Sequence, residues 1–204
     1  MRVIVFGATG KTGRHVVDAA LTAGHQVVAF GRSVDRLDIS HEALELHKGD
    51  VFDQQAVSSA VAGCDAVIVC LGSTGLRDKT TLASGTQVIV DAMADATGDR
   101  LVVLSAVAVG ESWRQTPWSS KLLFRTLLRN VLADHERQEV IVKSSPLTWT
   151  IVRAAVLKDE PATGSIIASN DRRTTKINRA DVASYLVDQL TDNAHERRAI
   201  SISA

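Results

Sequence analysis

Three glycines near the start of the chain have the spacing of a phosphate-binding turn. Gly7, Gly10 and Gly13 lie in Gly-Ala-Thr-Gly-Lys-Thr-Gly, directly after the apolar run Arg2–Phe6. Gly7 permits a tight turn, Gly10 permits close approach of a pyrophosphate to the backbone, and Gly13 permits the next helix to pack on the strand. The free N–H groups and positive dipole end of that helix suit phosphates. The pattern predicts a dinucleotide site, and the alternative is a glycine-rich turn without a ligand.

A nucleoside triphosphatase is excluded by the same segment. Gly10-Lys11-Thr12 resembles the end of a P-loop, but that motif requires a glycine five residues before Gly10. Val5 occupies the position. The turn therefore predicts a dinucleotide in preference to a triphosphate.

The second predicted strand, His25–Phe30, leads into Gly31-Arg32-Ser33, about twenty residues after the glycine turn, where dinucleotide-binding proteins place the residue that reads the ribose. An acid at this position binds the 2′-hydroxyl of NAD. Arg32 instead offers a guanidinium to a 2′-phosphate, and Ser33 and Arg36 can add hydrogen bonds or charge. The arrangement favours NADP(H), and the alternative is that these arginines are solvated loop charges.

Composition limits the classes of function. The chain has 204 residues, with 23 basic and 23 acidic side chains, so net charge favours neither a nucleic-acid nor a membrane partner. Cys64 and Cys70 fit neither a zinc site nor a redox pair, which leaves no predicted metal site and indicates reduced core thiols. No segment approaches eighteen consecutive apolar residues and the first residues enter a strand directly, so we expect neither a membrane span nor secretion. We expect a cytoplasmic protein.

Apolar runs alternate with helical patterns along the whole chain. They predict one Rossmann-type domain over residues 1–204, an α/β fold with a doubly wound parallel sheet and helices on both faces. The predicted strands after the second are Leu44–Val51, Ala66–Leu71, Leu101–Ser105 and Trp149–Arg153, with further strands at Gly164–Ser169 and Ile200–Ser203. The predicted helices after the first are Ala56–Val61, Thr80–Ala96, Lys121–Lys143 and Ala180–Thr191.

Ligands of such sheets bind outside the carboxyl ends of the strands. That rule selects Asp50 and Val51 as adenine contacts, and Leu71 and Gly72 as a place where the cofactor passes close to the backbone. It places Ser105 near the nicotinamide. Together these residues predict one crevice.

The stretch 106–120 is the least regular and contains Trp113 and Trp118. Loops over the strand ends are common substrate sites, and flat apolar side chains suit a planar ring. The alternative is that these aromatics anchor the loop on the core. A basic stripe follows at four-residue spacing and consists of Lys121, Arg125 and Arg129. It could contact a phosphate or a protein partner, and the alternative is a solvated helix face.

The chain resembles the atypical short-chain dehydrogenase/reductases, in particular their flavin and biliverdin reductases and the NmrA-like NADP-binding proteins. The resemblance rests on the glycine turn, Gly49-Asp50-Val51, Leu71-Gly72-Ser73, Ser105-Ala106 and the segment 147–153. It implies the following binding residues: Gly7, Thr9, Gly10 and Thr12 at the pyrophosphate, Arg32 and Arg36 at the 2′-phosphate, Asp50 and Val51 at adenine, Leu71 and Gly72 at the ribose, and Ser105 at the nicotinamide. Lys11, in the same turn, is a further candidate contact of the cofactor. The resemblance also implies that His135 lies near the substrate pocket.

The Tyr-x-x-x-Lys pair of the typical family is missing. The one tyrosine, Tyr185, has no lysine four residues on, and the pair would fall near Val131 and His135. A flavin can accept a hydride with solvent supplying the proton, so we expect an NADPH-dependent reductase of FMN, another flavin or a similar planar acceptor. Ser105 would orient the nicotinamide or substrate. The alternatives are a redox sensor that binds NADP(H) without turnover and contacts a protein partner, and an assembly factor.

Overall fold

The computed structural model describes residues 1–73, 75, 78–115, 128–172 and 175–204, with residues 113–115 described by their backbone alone. The main sheet contains β1 (Arg2–Phe6), β2 (Gln26–Gly31), β3 (Leu44–Lys48), β4 (Ala66–Val69), β5 (Arg100–Ala106), β6 (Thr148–Ala154), β8 (Ile167–Ala168) and β10 (Arg198–Ser203). A small second sheet contains β7 (Val156–Lys158) and β9 (Lys176–Asn178). The α-helices of the described residues are α1 (Lys11–Thr22), α2 (Gln54–Val61), α3 (Thr81–Ala94), α4 (Arg129–Ser144) and α5 (Arg179–Asp188).

The main sheet has the order β3-β2-β1-β4-β5-β6-β10-β8. Neighbours pair in parallel as far as β10, and only β8 is antiparallel, through Ile202 opposite Ala168 and Ser203 opposite Ile167. The first six positions follow the 3-2-1-4-5-6 order of dinucleotide-binding folds. This confirms the predicted doubly wound α/β fold, apart from the antiparallel edge.

Alternate residues of each strand face opposite sides of the sheet and form two buried layers. One layer packs against α1 and α5, and the other against α2, α3 and α4. Both faces of β1 are covered: Val3 and Val5 lie in the first layer, and Ile4 in the second. No helix among the described ranges is long and apolar enough to span a membrane.

Two predicted strands end early. The strand predicted over Leu44–Val51 ends at Lys48, and the next residue, Gly49, lies against the ring of Phe30, where an added Cβ would be 2.6 Å from Cζ. The Asp50 carboxylate then accepts a hydrogen bond from the Phe52 N–H at 3.1 Å and turns the chain. The strand predicted over Ala66–Leu71 ends at Val69. The early ends bring the following residues to the carboxyl edge of the sheet.

The small sheet was not predicted. Its strands have three residues each, and the exposed Val156 and Lys176 give no apolar alternation. The strand predicted at Gly164–Ser169 is reduced to two residues. The helix predicted over Lys121–Lys143 is described from Arg129 onward, and Lys121 and Arg125 lie outside the described residues.

Candidate functional site

A cleft of about 950 Å³ opens at the carboxyl ends of the parallel strands. Its lining includes the following predicted site residues: Gly7, Thr9, Gly10, Lys11, Thr12, Arg32, Asp50, Val51, Leu71, Gly72, Ser105 and His135. Ser33 and Arg36 are not part of this lining. The structure thus brings most of the predicted residues to one place, although they come from widely separated parts of the chain.

The glycine turn has the tight geometry that its sequence predicts. Gly7 has φ +79°, and an added Cβ would lie 2.4 Å from the carbonyl oxygen of Cys70. A Cβ on Gly13 would lie 2.1 Å from the carbonyl oxygen of Gly7, so only glycine lets α1 come this close to β1. Side chains larger than hydrogen therefore fit at neither position.

The first turn of α1 faces the cleft. Its N-cap is Gly10, no side chain caps it, and the Gly10 N–H bonds the Gly7 carbonyl at 2.9 Å. The following N–H groups have no helical partner and carry the positive end of the helix dipole. A pyrophosphate fits this uncapped turn, and Thr9, Gly10, Lys11 and Thr12 are the residues that would hold it.

Arg32 directly follows β2 and lies exposed in the wall of the cleft. Among the ion pairs of the described residues none involves Arg32, whereas the neighbouring Asp35 pairs with Lys48 at 2.6 Å. Arg36 ends the short 3₁₀ turn Val34–Arg36; it is exposed and is not among the residues that line the cleft. The geometry supports Arg32 as the contact for a 2′-phosphate, and the contribution of Arg36 stays a prediction.

Val51 and Leu71 meet at Gly85 on α3. An added Cβ on Gly85 would lie 2.9 Å from Leu71 Cδ1 and 3.1 Å from Val51 Cγ1. The glycine lets α3 approach the two side chains predicted to flank the adenosine. Sequence reasoning missed Gly85, which stands without a motif inside a helical pattern.

Ser105 is 3% exposed, and its hydroxyl donates a hydrogen bond to Glu139 Oε1 at 2.8 Å. Burial alone would raise the pKa of Glu139, but hydrogen bonds from Arg153 and Lys143 and the charge of Arg153 lower it below its usual range. Glu139 is therefore an ionised acceptor. With its proton directed at Glu139, Ser105 can only accept hydrogen bonds from a ligand.

Glu139 forms a buried ion pair that sequence reasoning missed. Arg153 donates from Nε at 2.9 Å and from Nη2 at 2.6 Å, and both side chains are 2% exposed. The same Nη2 binds Glu111 at 3.0 Å, in the 3₁₀ turn Gly110–Gln115. The cluster joins β5, α4, β6 and the start of the loop 106–120. The sequence offered one signal for this ion pair: Arg153 is a charged residue at the end of an apolar strand, and a buried charge requires a partner of opposite charge.

The segment where the family has its Tyr-x-x-x-Lys pair lies in the cleft wall, on α4, but carries Val131 and His135. His135 Nδ1 is 3.1 Å from Gln138 Oε1, and Gln138 donates through Nε2 to Thr86 at 2.9 Å. Burial lowers the pKa of His135 more than the Gln138 contact raises it. The imidazole is therefore neutral at neutral pH, with Nε2 left as an acceptor.

Tyr185 does not substitute for the missing acid. Its hydroxyl lies 3.3 Å from His195 Nδ1, and neither residue is part of the cleft lining. Burial raises the pKa of Tyr185 to about 12. Within the described part of the chain, the cleft has no tyrosine and lysine arranged to protonate a carbonyl oxygen.

The part of the cleft beyond Ser105 has mainly apolar walls. They comprise Leu104, Ala106, Val107, Leu128, Val131, Leu132, Ala154, Ala155, Val156 and Leu157. Arg179 and Lys11 add charge at the mouth. Of the predicted substrate contacts, Trp118 lies outside the described residues and Trp113 is described only by its backbone.

The sequence matches the NAD(P)H-binding family over residues 7–193, and the chain belongs to that family. It is 27% identical over 216 residues to the uncharacterized sugar epimerase YhfK of Bacillus subtilis, covering 100% of this chain and 94% of that protein. It is 39% identical over 90 residues to the isoflavone reductase homolog IRL of Zea mays, covering 40% of this chain and 29% of that protein.

Two solved structures share the fold. A short-chain dehydrogenase/reductase from Veillonella parvula in complex with NADP has a TM-score of 0.85 at 18% identity, over 100% of this chain and 94% of that one. ChuY, an anaerobillin reductase from Escherichia coli O157:H7, has a TM-score of 0.81 at 22% identity, over 100% and 97%. These likenesses confirm the predicted resemblance to the short-chain dehydrogenase/reductases at the level of the fold.

Proposed function

We propose that this protein is an NADPH-dependent reductase that delivers a hydride to a flavin or a similar planar conjugated acceptor. The observation that carries the proposal is the hydrogen bond from Ser105 to Glu139, beside cleft walls that include Leu104, Val107 and Leu157. The Ser105 hydroxyl directs its proton at an ionised carboxylate, so it does not donate that proton to an acceptor. The site is therefore suited to an acceptor that takes its proton from water.

The choice of NADPH rests on Arg32, the cation that follows β2 in the cleft wall. A guanidinium binds a phosphate with two charge-assisted hydrogen bonds, and it offers nothing comparable to the 2′-hydroxyl of NAD. The NADP bound by the Veillonella parvula protein supports the same choice.

When bound, the dinucleotide supplies a hydride from its nicotinamide ring. The chain would contribute position: the glycine turn would hold the phosphates, and Ser105 would accept a hydrogen bond from the nicotinamide or the substrate. The apolar walls, which include Leu104, Val107 and Leu157, would keep water away from the reacting rings. Ring reduction of a flavin adds one hydride and one proton, and the proton comes from solvent at the open mouth.

Equilibrium titration of the purified protein with NADPH and NADH, followed by a panel of acceptors, tests the proposal. FMN, riboflavin, a quinone and a linear tetrapyrrole are added in turn, and NADPH oxidation is followed by absorbance. Steady oxidation with a flavin, reduced in the Arg32→Asp variant, supports a reductase. Tight binding of NADP⁺ and NADPH without turnover on any acceptor would instead identify a redox sensor.

A further inference from the structure

The carboxylate of Asp159 is shared by two cations that line the cleft. Lys11 Nζ lies 3.2 Å from Asp159 Oδ2, and Arg179 Nη1 contacts Oδ1. Each cation therefore binds a different oxygen of the same carboxylate. The two cations are spaced to bind one carboxylate-shaped or phosphate-shaped group.

The fold fixes this arrangement through the small sheet. In the parallel β7–β9 pair, Lys158 lies opposite Asn178, so the next residues, Asp159 and Arg179, emerge side by side. Lys11 is the first residue of α1, in the glycine turn. The bridge from Lys11 to Asp159 thus connects the glycine turn to the small sheet at the mouth of the cleft.

The Asp159 carboxylate is held only weakly between Lys11 and Arg179. Its side chain is 59% exposed, and that of Lys11 is 73% exposed, whereas that of Arg179 is 17% exposed. The hydrogen bond from Lys11 and the charge of Arg179 lower the pKa of Asp159, so it remains an anion. Ion pairs between exposed groups contribute little to stability, and a ligand anion can replace Asp159 at small cost.

We propose that Lys11 and Arg179 form a subsite for a phosphate or carboxylate group of the acceptor, and that Asp159 fills this subsite in the free protein. This inference rests on the proposed reductase function. The dinucleotide phosphates have the uncapped N–H groups of α1, including that of Lys11, as their partners, which leaves the Lys11 side chain for the acceptor. Arg179 lines the cleft together with Val156 and Leu157 and is not among the residues predicted to bind the dinucleotide.

FMN and riboflavin test the subsite because they carry the same ring system and differ by a phosphate. Binding of each is measured at equilibrium with saturating NADP⁺, and KM is measured in turnover. We expect Arg179→Gln to weaken FMN about tenfold, as expected for loss of a hydrogen bond between charged groups, and to leave riboflavin unchanged. Asp159→Asn removes the competing anion, so we expect FMN to bind about two- to fivefold more tightly, the range of an exposed ion pair.

Glu160→Gln is the matched control, because Glu160 pairs with Lys158 at 3.2 Å and does not line the cleft. This variant should change the binding of neither FMN nor riboflavin. Arg179→Lys keeps the charge and should keep part of the preference for FMN, which separates loss of the subsite from loss of folding.

The sign of the Asp159→Asn effect decides the outcome. Weaker FMN binding, or an equal change for both flavins, would make Asp159 a structural latch and overturn the proposal. Tighter NADPH binding with an unchanged FMN-to-riboflavin ratio would assign the cations to the dinucleotide and overturn it as well. Failure of the reductase function is distinguishable, since it removes turnover with every acceptor, whereas the equilibrium comparison of the two flavins still tests the subsite.

Discussion

The Ser105 hydroxyl donates to Glu139 across 2.8 Å and so joins β5 to α4 beside the cleft. In a short-chain dehydrogenase/reductase fold, a hydroxyl at this strand end suggests proton chemistry. Here the expected role as a hydrogen-bond donor to a ligand is lost, because the serine proton is directed at an ionised carboxylate. Toward a ligand, the serine oxygen can act only as an acceptor. The role of the serine is therefore decided by Glu139, from another element.

Removing the hydroxyl should have a small effect on turnover. We expect Ser105→Ala to lower kcat less than about tenfold, against the factor of about 10²–10⁴ typical of general acid catalysis. Stability should fall by about 1 kcal/mol through the lost hydrogen bond. Ser112→Ala is the control, since Ser112 is also buried but donates to the Val109 carbonyl at 2.6 Å. Steady-state kinetics and urea unfolding measure both effects, and a loss above about a hundredfold would make Ser105 an acid.

Breaking the Glu139–Arg153 pair should strongly destabilise the fold. Glu139→Leu leaves a buried guanidinium with only the exposed Glu111 as a carboxylate partner, and such losses cost about 3–5 kcal/mol. The double change Glu139→Leu with Arg153→Met removes both charges and should recover much of this loss. Glu136→Leu, at an exposed position on the same helix, should be nearly neutral. Urea unfolding of the parent, Glu139→Leu, Arg153→Met and the double variant gives the four free energies of the cycle, and additive single effects would contradict a coupled pair.

His135 should make stability depend on pH in the weakly acid range. Burial lowers its pKa in the folded protein, so below the ordinary value of 6.5 the unfolded chain takes up a proton that the folded protein does not. Stability therefore falls as pH decreases from 6.5 toward the folded pKa. His135→Gln should flatten this slope, whereas His15→Gln, at an exposed position on α1, should not. Unfolding measurements across the pH range, with NMR titration of the imidazoles, give this dependence of stability on pH. An unchanged slope in His135→Gln would rule out His135 as its source.

Arg32 should set the preference between the two dinucleotides. Arg32→Asp removes the guanidinium from the cleft wall and should weaken NADPH by about 1.5–3 kcal/mol, with little effect on NADH. Arg198→Asp is the matched control, because Arg198 is exposed at the start of β10 and does not line the cleft. Fluorescence titration with both dinucleotides gives the affinities. Equal affinities of the parent protein for NADH and NADPH would refute the argument from Arg32.

Two glycines of the same turn should fail in different ways when they are replaced by alanine. The Gly13 Cβ would meet backbone at 2.1 Å and force α1 away from β1, so Gly13→Ala should cost about 1–3 kcal/mol or more of stability. The Gly10 Cβ would meet only the Gly7 carbonyl oxygen, at 3.1 Å, so Gly10→Ala should fold and bind NADPH poorly. Thermal unfolding and dinucleotide titration separate the two. A folded Gly13→Ala variant with normal stability would contradict the packing argument.

The local part of this site could be read from the sequence. Gly7 and Gly13 predict a turn through their lack of a side chain, and the buried strand before them fixes its setting. The strand ends predict Asp50, Leu71 and Ser105 through a rule of parallel sheets. These signals lie within a few residues of the groups they position.

The remaining features depend on pairings between distant segments. Glu139 looks like one charge among several on a polar helix, and only the packing of α4 on β5 and β6 shows that it is buried. Arg179 and Asp159 meet because the register of β7 on β9 places them together. Asp134 likewise caps α3 from α4, through the Leu82 N–H at 2.9 Å. No local pattern encodes such pairings.

The close contact of Gly7 with Cys70 makes that cysteine a reporter of local opening. The thiol is buried beneath the glycine turn, and burial raises its pKa to about 12. Alkylating reagents attack the thiolate, so Cys70 is inert while the turn stays closed on β4. We expect the rate of its modification to measure how often this part of the cleft opens, and dinucleotide binding across the turn to slow that rate.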